Sequence, residues 1–248
     1  MTQKRVLVTG SSRGIGRAIA QKLAADGWSI ALHSTADSED MKTIAAELGS
    51  KVAGIYYSDL SITTKAAELF KAVAKDGPVH AVVNNAGVYM PIDFVASGDA
   101  SFLANMHRTF AVNFESPVAI TRAACRHFVE KGIAGKVLNV TSRVGFKGEG
   151  GAALYAASKA ALANITRSLA VELAPKKIRL FGIAPGWVDT AMAREGMDDK
   201  LPSILEGIPL NRMATPEDCG ATAAFLLSDA ADYLSGVIID INGASYFH

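Results

Sequence analysis

Short runs of apolar residues alternate along this chain with longer segments in which apolar positions recur every three or four residues. The short runs predict seven β-strands, and the longer segments predict helices between them. The predicted strands are Arg5–Val8, Ser29–Leu32, Val52–Tyr56, Ala81–Asn84, Lys136–Val140, Arg179–Ile183 and Val237–Ile241. The predicted helices cover 14–26, 37–48, 63–75, roughly 101–130, 153–173 and 216–227.

Strands that are apolar along their whole length, with helices between them, are typical of a parallel sheet covered on both faces. We therefore predict an α/β fold, a single domain over residues 1–248 built on a doubly wound, Rossmann-like parallel sheet. Ligands of such sheets bind at the carboxyl ends of the strands. Residues 186–214 break the alternation with Trp187, Met192 and Met197 but no strand. This segment fits either a lid over a substrate or an ordinary helical excursion.

The composition narrows the classes of function. The 248 residues are 50% hydrophobic and carry a formal net charge of +1 without a basic block, so neither nucleic acid nor an anionic membrane is a predicted partner. Two cysteines and five histidines show no disulfide framework and no metal-ligand spacing. The chain begins directly on a predicted strand. We expect a cytoplasmic protein without a metal and with unreactive, buried thiols.

Three glycines follow the first predicted strand and open the first predicted helix: Gly10, Gly14 and Gly16. Glycine permits a tight turn and lets a pyrophosphate approach the backbone, while the helix N-terminus supplies amide donors and a positive dipole. The spacing is G-x-x-x-G-x-G, which differs from the common G-x-G-x-x-G. Its place at the first strand-to-helix junction predicts a dinucleotide site.

The end of the second predicted strand indicates which dinucleotide binds. A carboxylate about twenty residues after the loop would bind the ribose 2′-hydroxyl of NAD. This strand runs into Ser34 and Thr35 with no carboxylate before Asp37, and Arg13 in the glycine loop is placed to meet a 2′-phosphate. We predict NADP(H). NAD(H) is the alternative, because a small shift of the turn would bring Asp37 to the ribose.

Tyr155 and Lys159 carry the candidate chemistry, with Ser142 thirteen residues upstream of the tyrosine. Residues four apart share a helix face, so the ammonium can lie near the phenol. A free phenol titrates near pH ~10, and a nearby cation lowers that pKa toward a useful value for acid/base catalysis. The same spacing occurs by chance in many helices, as one buried aromatic and one solvated lysine.

Taken together with Asn84-Asn85-Ala86-Gly87, these motifs give the chain a resemblance to the short-chain dehydrogenase/reductase family over its full length. Within that family it is most similar to the 3-oxoacyl-acyl-carrier-protein reductases. The resemblance implies four catalytic residues: Asn113, Ser142, Tyr155 and Lys159. Tyr155 would protonate the carbonyl oxygen, Ser142 would orient it, Lys159 would lower the tyrosine pKa and bind the nicotinamide ribose, and Asn113 would hold a water relay.

The resemblance also implies the cofactor contacts. Asp59 would meet the adenine amino group, although by itself it resembles a helix N-cap. The implied set comprises Gly10, Ser12, Arg13, Gly14, Ile15, Gly16, Ser34, Thr35, Asp59, Leu60, Asn85, Ala86, Gly87, Tyr155, Lys159, Pro185, Gly186, Val188 and Thr190.

The implied activity is hydride transfer from NADPH to a ketone carbonyl, with a 3-oxoacyl thioester or a similar small ketone as substrate. The substrate would be free or linked to acyl carrier protein or CoA, and the assembly a homotetramer. Val171 stands where the carrier-protein reductases often have a basic residue, and Arg122 and Arg126 are nearby substitutes. The alternatives are an NAD(P)-dependent secondary alcohol or sugar/polyol dehydrogenase, and a dinucleotide-binding sensor without turnover.

Overall fold

The computed structural model describes residues 3–194 and 200–248, and it contains one sheet of seven parallel strands. The strands are β1 (Arg5–Val8), β2 (Ser29–Ser34), β3 (Val52–Tyr57), β4 (Ala81–Asn84), β5 (Lys136–Val140), β6 (Arg179–Pro185) and β7 (Ile238–Ile241). Their order across the sheet is β3-β2-β1-β4-β5-β6-β7. The predicted fold class is confirmed, and each predicted strand is present with its ends shifted by two residues at most.

Helices connect the strands and cover the sheet. They are α1 (Gly14–Ala25), α2 (Glu39–Leu48), α3 (Thr63–Lys75), α4 (Asp99–Phe110), α5 (Ser116–Lys131), α6 (Ala153–Leu173), α7 (Ala191–Arg194), α8 (Leu201–Glu206) and α9 (Pro216–Leu227). The single helix predicted over 101–130 is two helices joined by a wider π-helical turn at Ala111–Glu115. Such turns often occur at functional sites.

The core consists of two layers, one on each face of the sheet. Val6 and Val8 of β1 pack with α1, α2 and α9 on one face, whereas Leu7 packs with α3, α5 and α6 on the other. Alternate residues of a strand point to opposite faces, so a strand buried on both sides is apolar throughout. This double burial explains why β1 reads as a continuous apolar run.

The order of the strands reverses between β1 and β4, which are neighbours in the sheet although β2 and β3 separate them in sequence. The connections after β1 and β4 therefore leave the sheet in opposite directions. A crevice forms at such a switch point, outside the carboxyl ends of the strands. The glycine loop follows β1 and Asn85-Ala86-Gly87 follows β4, so both predicted motifs meet at this crevice.

The segment 186–214 contains α7 and α8, and its two ends are hydrogen-bonded to each other. Val188 and Ala214 form an isolated parallel bridge, and the Ala214 N–H donates to the Trp187 carbonyl at 2.9 Å. The prediction of a segment without a strand thus holds for the described part, apart from this one bridge. Met197, which was assigned to the segment, lies outside the described residues.

The prediction of buried, unreactive thiols holds for Cys219, whereas Cys125 is less buried than predicted. Cys219 is buried and Cys125 is half-buried, and burial raises their pKa values to about 12 and about 11, respectively. A thiol with a raised pKa is protonated at neutral pH and is a poor nucleophile. Within 3–194 and 200–248, no helix is both long and apolar enough to span a bilayer.

Candidate active site

A cavity of about 1050 Å³ lies at the carboxyl edge of the sheet, between the glycine loop, the strand ends and the 186–214 segment. Of the predicted site residues, all but Gly16 and Asn113 line its wall. The residues on the wall are Gly10, Ser12, Arg13, Gly14, Ile15, Ser34, Thr35, Asp59, Leu60, Asn85, Ala86, Gly87, Ser142, Tyr155, Lys159, Pro185, Gly186, Val188 and Thr190. The fold therefore gathers residues separated by up to 180 positions around one space.

The glycine loop needs two of its glycines for different reasons. Gly10 has a φ of +63°, a backbone conformation that favours glycine, and its N–H donates to His33 Nδ1 at 3.2 Å. Gly16 lies beneath the loop, where a Cβ would come within 2.2 Å of the Gly10 carbonyl oxygen. Gly16 thus allows α1 to pack against the loop rather than touching a ligand, which explains why it is absent from the wall.

The N-terminus of α1 is suited to an anion. Arg13 precedes the helix and offers no side-chain hydrogen bond to its first turn, and that turn carries no acidic residue. The first amide groups of a helix have no partner within the helix, and they add to the positive end of the dipole. With the loop backbone on the wall of the cavity, these residues fit the pyrophosphate of a dinucleotide.

Asp37, the carboxylate that would favour NAD, is held away from the cavity. The Tyr57 hydroxyl donates to its Oδ1 at 3.1 Å, and Lys42 Nζ lies 4.0 Å from its Oδ2. Asp37 is not part of the cavity wall. The small turn shift that would bring it to a ribose would have to break both contacts.

Arg13, Ser34 and Thr35 line the wall on the same side of the cavity. The Arg13 side chain is exposed and forms no ion pair within the described part of the chain. Asp40, near the start of α2, also lines this region and was not anticipated from the sequence. The guanidinium and the Thr35 hydroxyl are donors suited to a phosphate, whereas the Ser34 hydroxyl donates to the Ala36 carbonyl at 2.7 Å.

Asp59 lines the cavity, but it does not cap α3 as its sequence context suggested. The residue before α3 is Ile62, which makes no side-chain cap. Asp59 Oδ1 instead accepts the Ser61 N–H at 2.9 Å, and this hydrogen bond holds the pKa of the carboxyl below its ordinary value. The carboxylate is fixed at the turn after β3, and its adenine contact stays a prediction.

Asn85 ties the loop after β4 to the loop after β1. Its side-chain amide donates to the carbonyl oxygens of Thr9 and Gly10 at 2.9 and 3.1 Å. In return, Thr9 Oγ1 accepts the N–H groups of Asn85 and Ala86, each at 3.0 Å. These bonds fix the two sides of the crevice, so Asn85 has a clear structural role whether or not it also touches a cofactor.

Tyr155, Ser142 and Lys159 form the chemical centre of the wall. Ser142 follows β5, and Tyr155 and Lys159 share one face of α6, as their spacing predicts. The Ser142 hydroxyl lies close enough to the Tyr155 phenol to lower its pKa. Lys159 Nζ lies 5.8 Å from the centre of the Tyr155 ring and donates to the Val140 carbonyl at 2.9 Å.

Two pKa values of this centre are shifted from their ordinary values. Burial raises the pKa of Tyr155 to about 12, with further contributions from Tyr89 and Glu149, while the nearby Ser142 hydroxyl lowers it. Burial also lowers the pKa of Lys159 to about 8. The phenol pKa is thus raised in this arrangement, in which Lys159 donates to a backbone carbonyl rather than to the phenol. The lowering of that pKa by the lysine stays a prediction.

Asn113 lies in the π-helical turn and is buried off the cavity wall. Its Oδ1 accepts the Val88 N–H at 2.8 Å, and its amide donates to the Val88 carbonyl at 2.9 Å and to Ser158 Oγ at 3.2 Å. A Cβ placed on Gly87 would lie 3.3 Å from Asn113 Oδ1 and 3.4 Å from Lys159 Nζ. Asn113 thus holds the backbone at Gly87 and Val88 beside the lysine. Its role in a water relay stays a prediction.

Sequence reasoning did not identify the charged and aromatic part of the wall. Arg143, Glu149, Tyr89 and Trp187 all line the cavity, and the ring of Tyr89 meets that of Tyr155 edge-on at 5.2 Å between centres. Arg143 directly follows Ser142, so proximity to the serine was an available signal. Glu149 and Tyr89 lie in turns that carry no motif.

Known proteins match this chain over nearly its whole length. Residues 10–244 match the family described as Enoyl-(Acyl carrier protein) reductase. Nodulation protein G of Rhizobium sp. (strain N33) is 36% identical over 98% of this chain and 97% of its own. The 3-oxoacyl-[acyl-carrier-protein] reductase FabG of Escherichia coli (strain K12) is 35% identical, with coverage of 98% and 97%. The chain belongs to the short-chain dehydrogenase/reductase family. It is accordingly an oxidoreductase, as predicted.

Another similar relative of this short-chain dehydrogenase/reductase is the acetoacetyl-CoA reductase of Allochromatium vinosum, at 33% identity over 98% of both chains. Among solved structures, a candidate NAD(P)-dependent gluconate 5-dehydrogenase from Beutenbergia cavernae with bound NADP at low occupancy has a TM-score of 0.90 at 30% identity, covering 98% and 96% of the chains. A blue fluorescent protein from a metagenomic library, in complex with NADPH, has a TM-score of 0.89 at 28% identity over 98% of both chains.

Proposed function

We propose that this protein reduces a ketone carbonyl with NADPH. The observation that carries the proposal is that Tyr155, Ser142 and Lys159 lie on the wall of the same cavity as the glycine loop. A phenol and a hydroxyl on one wall can both meet a single substrate oxygen. Membership of an oxidoreductase family supports this reaction class. In such a reduction the hydride reaches the carbonyl carbon and the proton reaches the carbonyl oxygen, so both donors must lie around the same bond.

The residues of the chain have distinct tasks in this reaction. A bound NADPH supplies the hydride. With its pKa raised to about 12, Tyr155 is protonated at neutral pH and donates its proton to the carbonyl oxygen as negative charge develops there. Ser142 donates a second hydrogen bond to the same oxygen. Lys159, with a pKa lowered to about 8, can return a proton toward the phenol after each turnover.

The choice of NADPH over NADH rests on the adenosine side of the cavity. Arg13 and Thr35 line that wall, while Asp37 is bonded to Tyr57 outside it. The two structural neighbours that contain NADP or NADPH support the same choice. A guanidinium binds a 2′-phosphate through charge-assisted hydrogen bonds, which a 2′-hydroxyl cannot provide.

A 3-oxoacyl thioester is the first candidate substrate, because relatives from E. coli and A. vinosum are named as reductases of such compounds. Carrier-protein and CoA thioesters are both included. Arg122 and Arg126 lie in a groove between α5 and α6 together with Glu130 and Glu172. This groove mixes both signs of charge, so it gives an acidic carrier protein less attraction than a purely basic surface would.

Oxidation or reduction of a hydroxylated compound is the second candidate. It is favoured by the charged Arg143 and Glu149 in the wall near Tyr155, and by the similarity to a candidate gluconate 5-dehydrogenase. An acyl chain gains most from an apolar wall, whereas a polyol gains from fixed polar partners.

The test is NADPH oxidation by the purified protein with acetoacetyl-CoA, a 3-oxoacyl carrier protein, ethyl acetoacetate and a keto sugar. We expect turnover with at least one ketone and a preference for NADPH over NADH. Tight NADPH binding without turnover of any ketone would contradict the proposal and favour a sensor. A clear preference for NADH would contradict the choice of cofactor alone.

We also propose the homotetramer that the resemblance implies. Val129 on α5 and Val171 on α6 are exposed, and exposed apolar side chains on neighbouring helices suit a contact between subunits. Light scattering of the purified protein tests this assembly. The single domain, the cytoplasmic location and the lid role of 186–214 stay predictions.

A further inference from the structure

Arg143 and Glu149 form an ion pair in the wall of the cavity next to the catalytic centre. Arg143 Nη2 lies 2.7 Å from Glu149 Oε2, and Arg143 directly follows Ser142 in the chain. Glu149 lines the same cavity as Tyr155 and Tyr89, whose rings meet edge-on, and its negative charge contributes to raising the pKa values of both phenols. The pair therefore borders the space where a reacting carbonyl would lie.

The arginine of this pair faces the protein. Its side chain is 9% exposed, its Nη1 donates to Ser245 Oγ at 3.2 Å, and its Nε is buried without a hydrogen-bond partner among the described residues. Both Nη atoms thus have partners within the protein. Arg143 supplies charge balance and position, but it offers little to a ligand.

The glutamate of the pair faces the cavity. Its side chain is 30% exposed, and only Oε2 has a hydrogen bond within the described part of the chain. Oε1 is therefore an accessible acceptor held on a fixed side chain. Asp189, another carboxylate of the wall, differs because Arg194 donates to both of its oxygens at 2.7 Å.

A fixed carboxylate with one accessible oxygen is suited to a hydrogen-bond donor. It repels an anionic group, and an alkyl chain at the same place would remove water from the charge without replacing its hydrogen bond. A neutral hydroxyl satisfies the oxygen and keeps the ion pair intact. A site built to bond a hydroxyl discriminates strongly against an analogue that lacks it.

We propose that Glu149, held by Arg143, is a specificity-determining residue that selects ketones with a hydroxyl group close to the reacting carbonyl. The inference rests on the proposed ketone reduction at Tyr155 and names a substrate class for it. In the oxidative direction the corresponding substrates are diols. The inference therefore favours the second candidate, a hydroxylated compound, over an unsubstituted 3-oxoacyl chain of the same size.

Two pairs of ketones that differ only by a hydroxyl in place of a methyl group test this. They are hydroxyacetone against 2-butanone and 4-hydroxy-2-butanone against 2-pentanone, with NADPH as reductant. We expect kcat/KM to favour the hydroxyketone by about 10-fold or more in at least one pair. In Glu149→Leu we expect this ratio to fall to about one, with Glu149→Gln in between because its amide oxygen still accepts a hydrogen bond.

Two further variants separate recognition from structural damage. Glu149→Leu leaves Arg143 without its carboxylate partner, so the double variant Arg143→Met with Glu149→Leu removes the whole pair. Its ratio of kcat/KM values, hydroxyketone to methyl analogue, should also fall to about one. Asp232→Asn is the matched control. It removes a carboxylate that pairs with Lys136 at 2.6 Å, at the start of β5 and so at the other edge of the sheet. Its ratio should equal that of the wild type.

Ketone binding to the NADPH complex is measured in parallel by tryptophan fluorescence, since Trp187 lines the cavity. A Kd ratio that favours the hydroxyketone only when Glu149 is present supports the inference even if no ketone turns over, and in that case the proposed function alone fails. A wild-type ratio near one, a ratio that survives Glu149→Leu, or no binding of any ketone would overturn the inference.

Discussion

The two halves of the cavity are built in different ways. The half next to the glycine loop uses backbone groups, a helix terminus and the connections that follow β1, β2 and β4. The half next to Ser142 uses side chains from the turn after β5, from α6, from the 186–214 segment and, through Ser245, from the residues after β7. The first half consists of short motifs that the sequence shows directly after its strands, whereas the second depends on which side chains pack together.

This difference shows where specificity can vary within a shared fold. A backbone cradle requires glycine at particular places, as the 2.2 Å approach of a Gly16 Cβ to the Gly10 carbonyl shows. Around Ser142, side chains such as Arg143 and Glu149 follow β5 instead of lying in a strand, so they can change while the sheet stays intact. The residues of the cofactor half are therefore set by the reaction that the family shares, and those of the substrate half can differ from one protein to another.

Tyr155→Phe should separate the two halves most sharply. The change removes the proton donor but little volume, so we expect kcat to fall about 10²–10⁴-fold. NADPH binding should stay close to that of the wild type, because the glycine loop is untouched. Steady-state kinetics and NADPH titration measure both effects.

Tyr56→Phe is the control for this change. The Tyr56 hydroxyl donates to Asp76 at 2.6 Å and lies outside the cavity wall, so its loss should leave kcat near the wild-type value. Turnover of Tyr155→Phe at the wild-type rate would show that another group donates the proton.

Lys159 lies between the two halves, and its burial should make the free energy of unfolding depend on pH. Its pKa is lowered to about 8 in the folded protein, against 10.5 as its ordinary value. The unfolded chain therefore binds more protons between these values, and the free energy of unfolding rises with pH across that window. The rise should be on the order of 3 kcal/mol. Relative to Lys159→Met, the wild type should gain stability from pH about 8 upward.

Urea unfolding of both proteins from neutral to alkaline pH measures this gain. Tyr155 titrates in both, so its contribution largely cancels in the difference. Lys71→Met, at an exposed position on α3, shows the effect of removing a surface lysine. A difference between wild type and Lys159→Met that is constant with pH would mean that the lysine is not desolvated.

The strands and most helices could be predicted from the sequence, because strands that are buried on both faces, such as β1, are apolar throughout. The π-helical turn at Ala111–Glu115 and the short helices α7 and α8 have no such pattern. The pKa of Tyr155 could not be predicted, since i, i+4 spacing places Lys159 on the same face but does not show that its ammonium donates to Val140. The Arg143–Glu149 ion pair could not be predicted from the sequence either, because its geometry depends on how the turn after β5 folds. Patterns predict faces of elements, whereas side-chain partners require the packed structure.

Arg13 gives the smallest expected effect and tests the cofactor half alone. Its exposed guanidinium lies on the wall beside Thr35, where it would meet a 2′-phosphate. Arg13→Leu should raise the Kd of NADPH about 10-fold, because an exposed charge-assisted contact is worth about 1–1.5 kcal/mol. The Kd of NADH and the kcat at saturating cofactor should change little. Arg17→Leu, which removes a partner of Glu47 one turn further along α1, is the control. An equal loss of NADPH and NADH affinity in Arg13→Leu would indicate that the arginine shapes the loop instead of binding the phosphate.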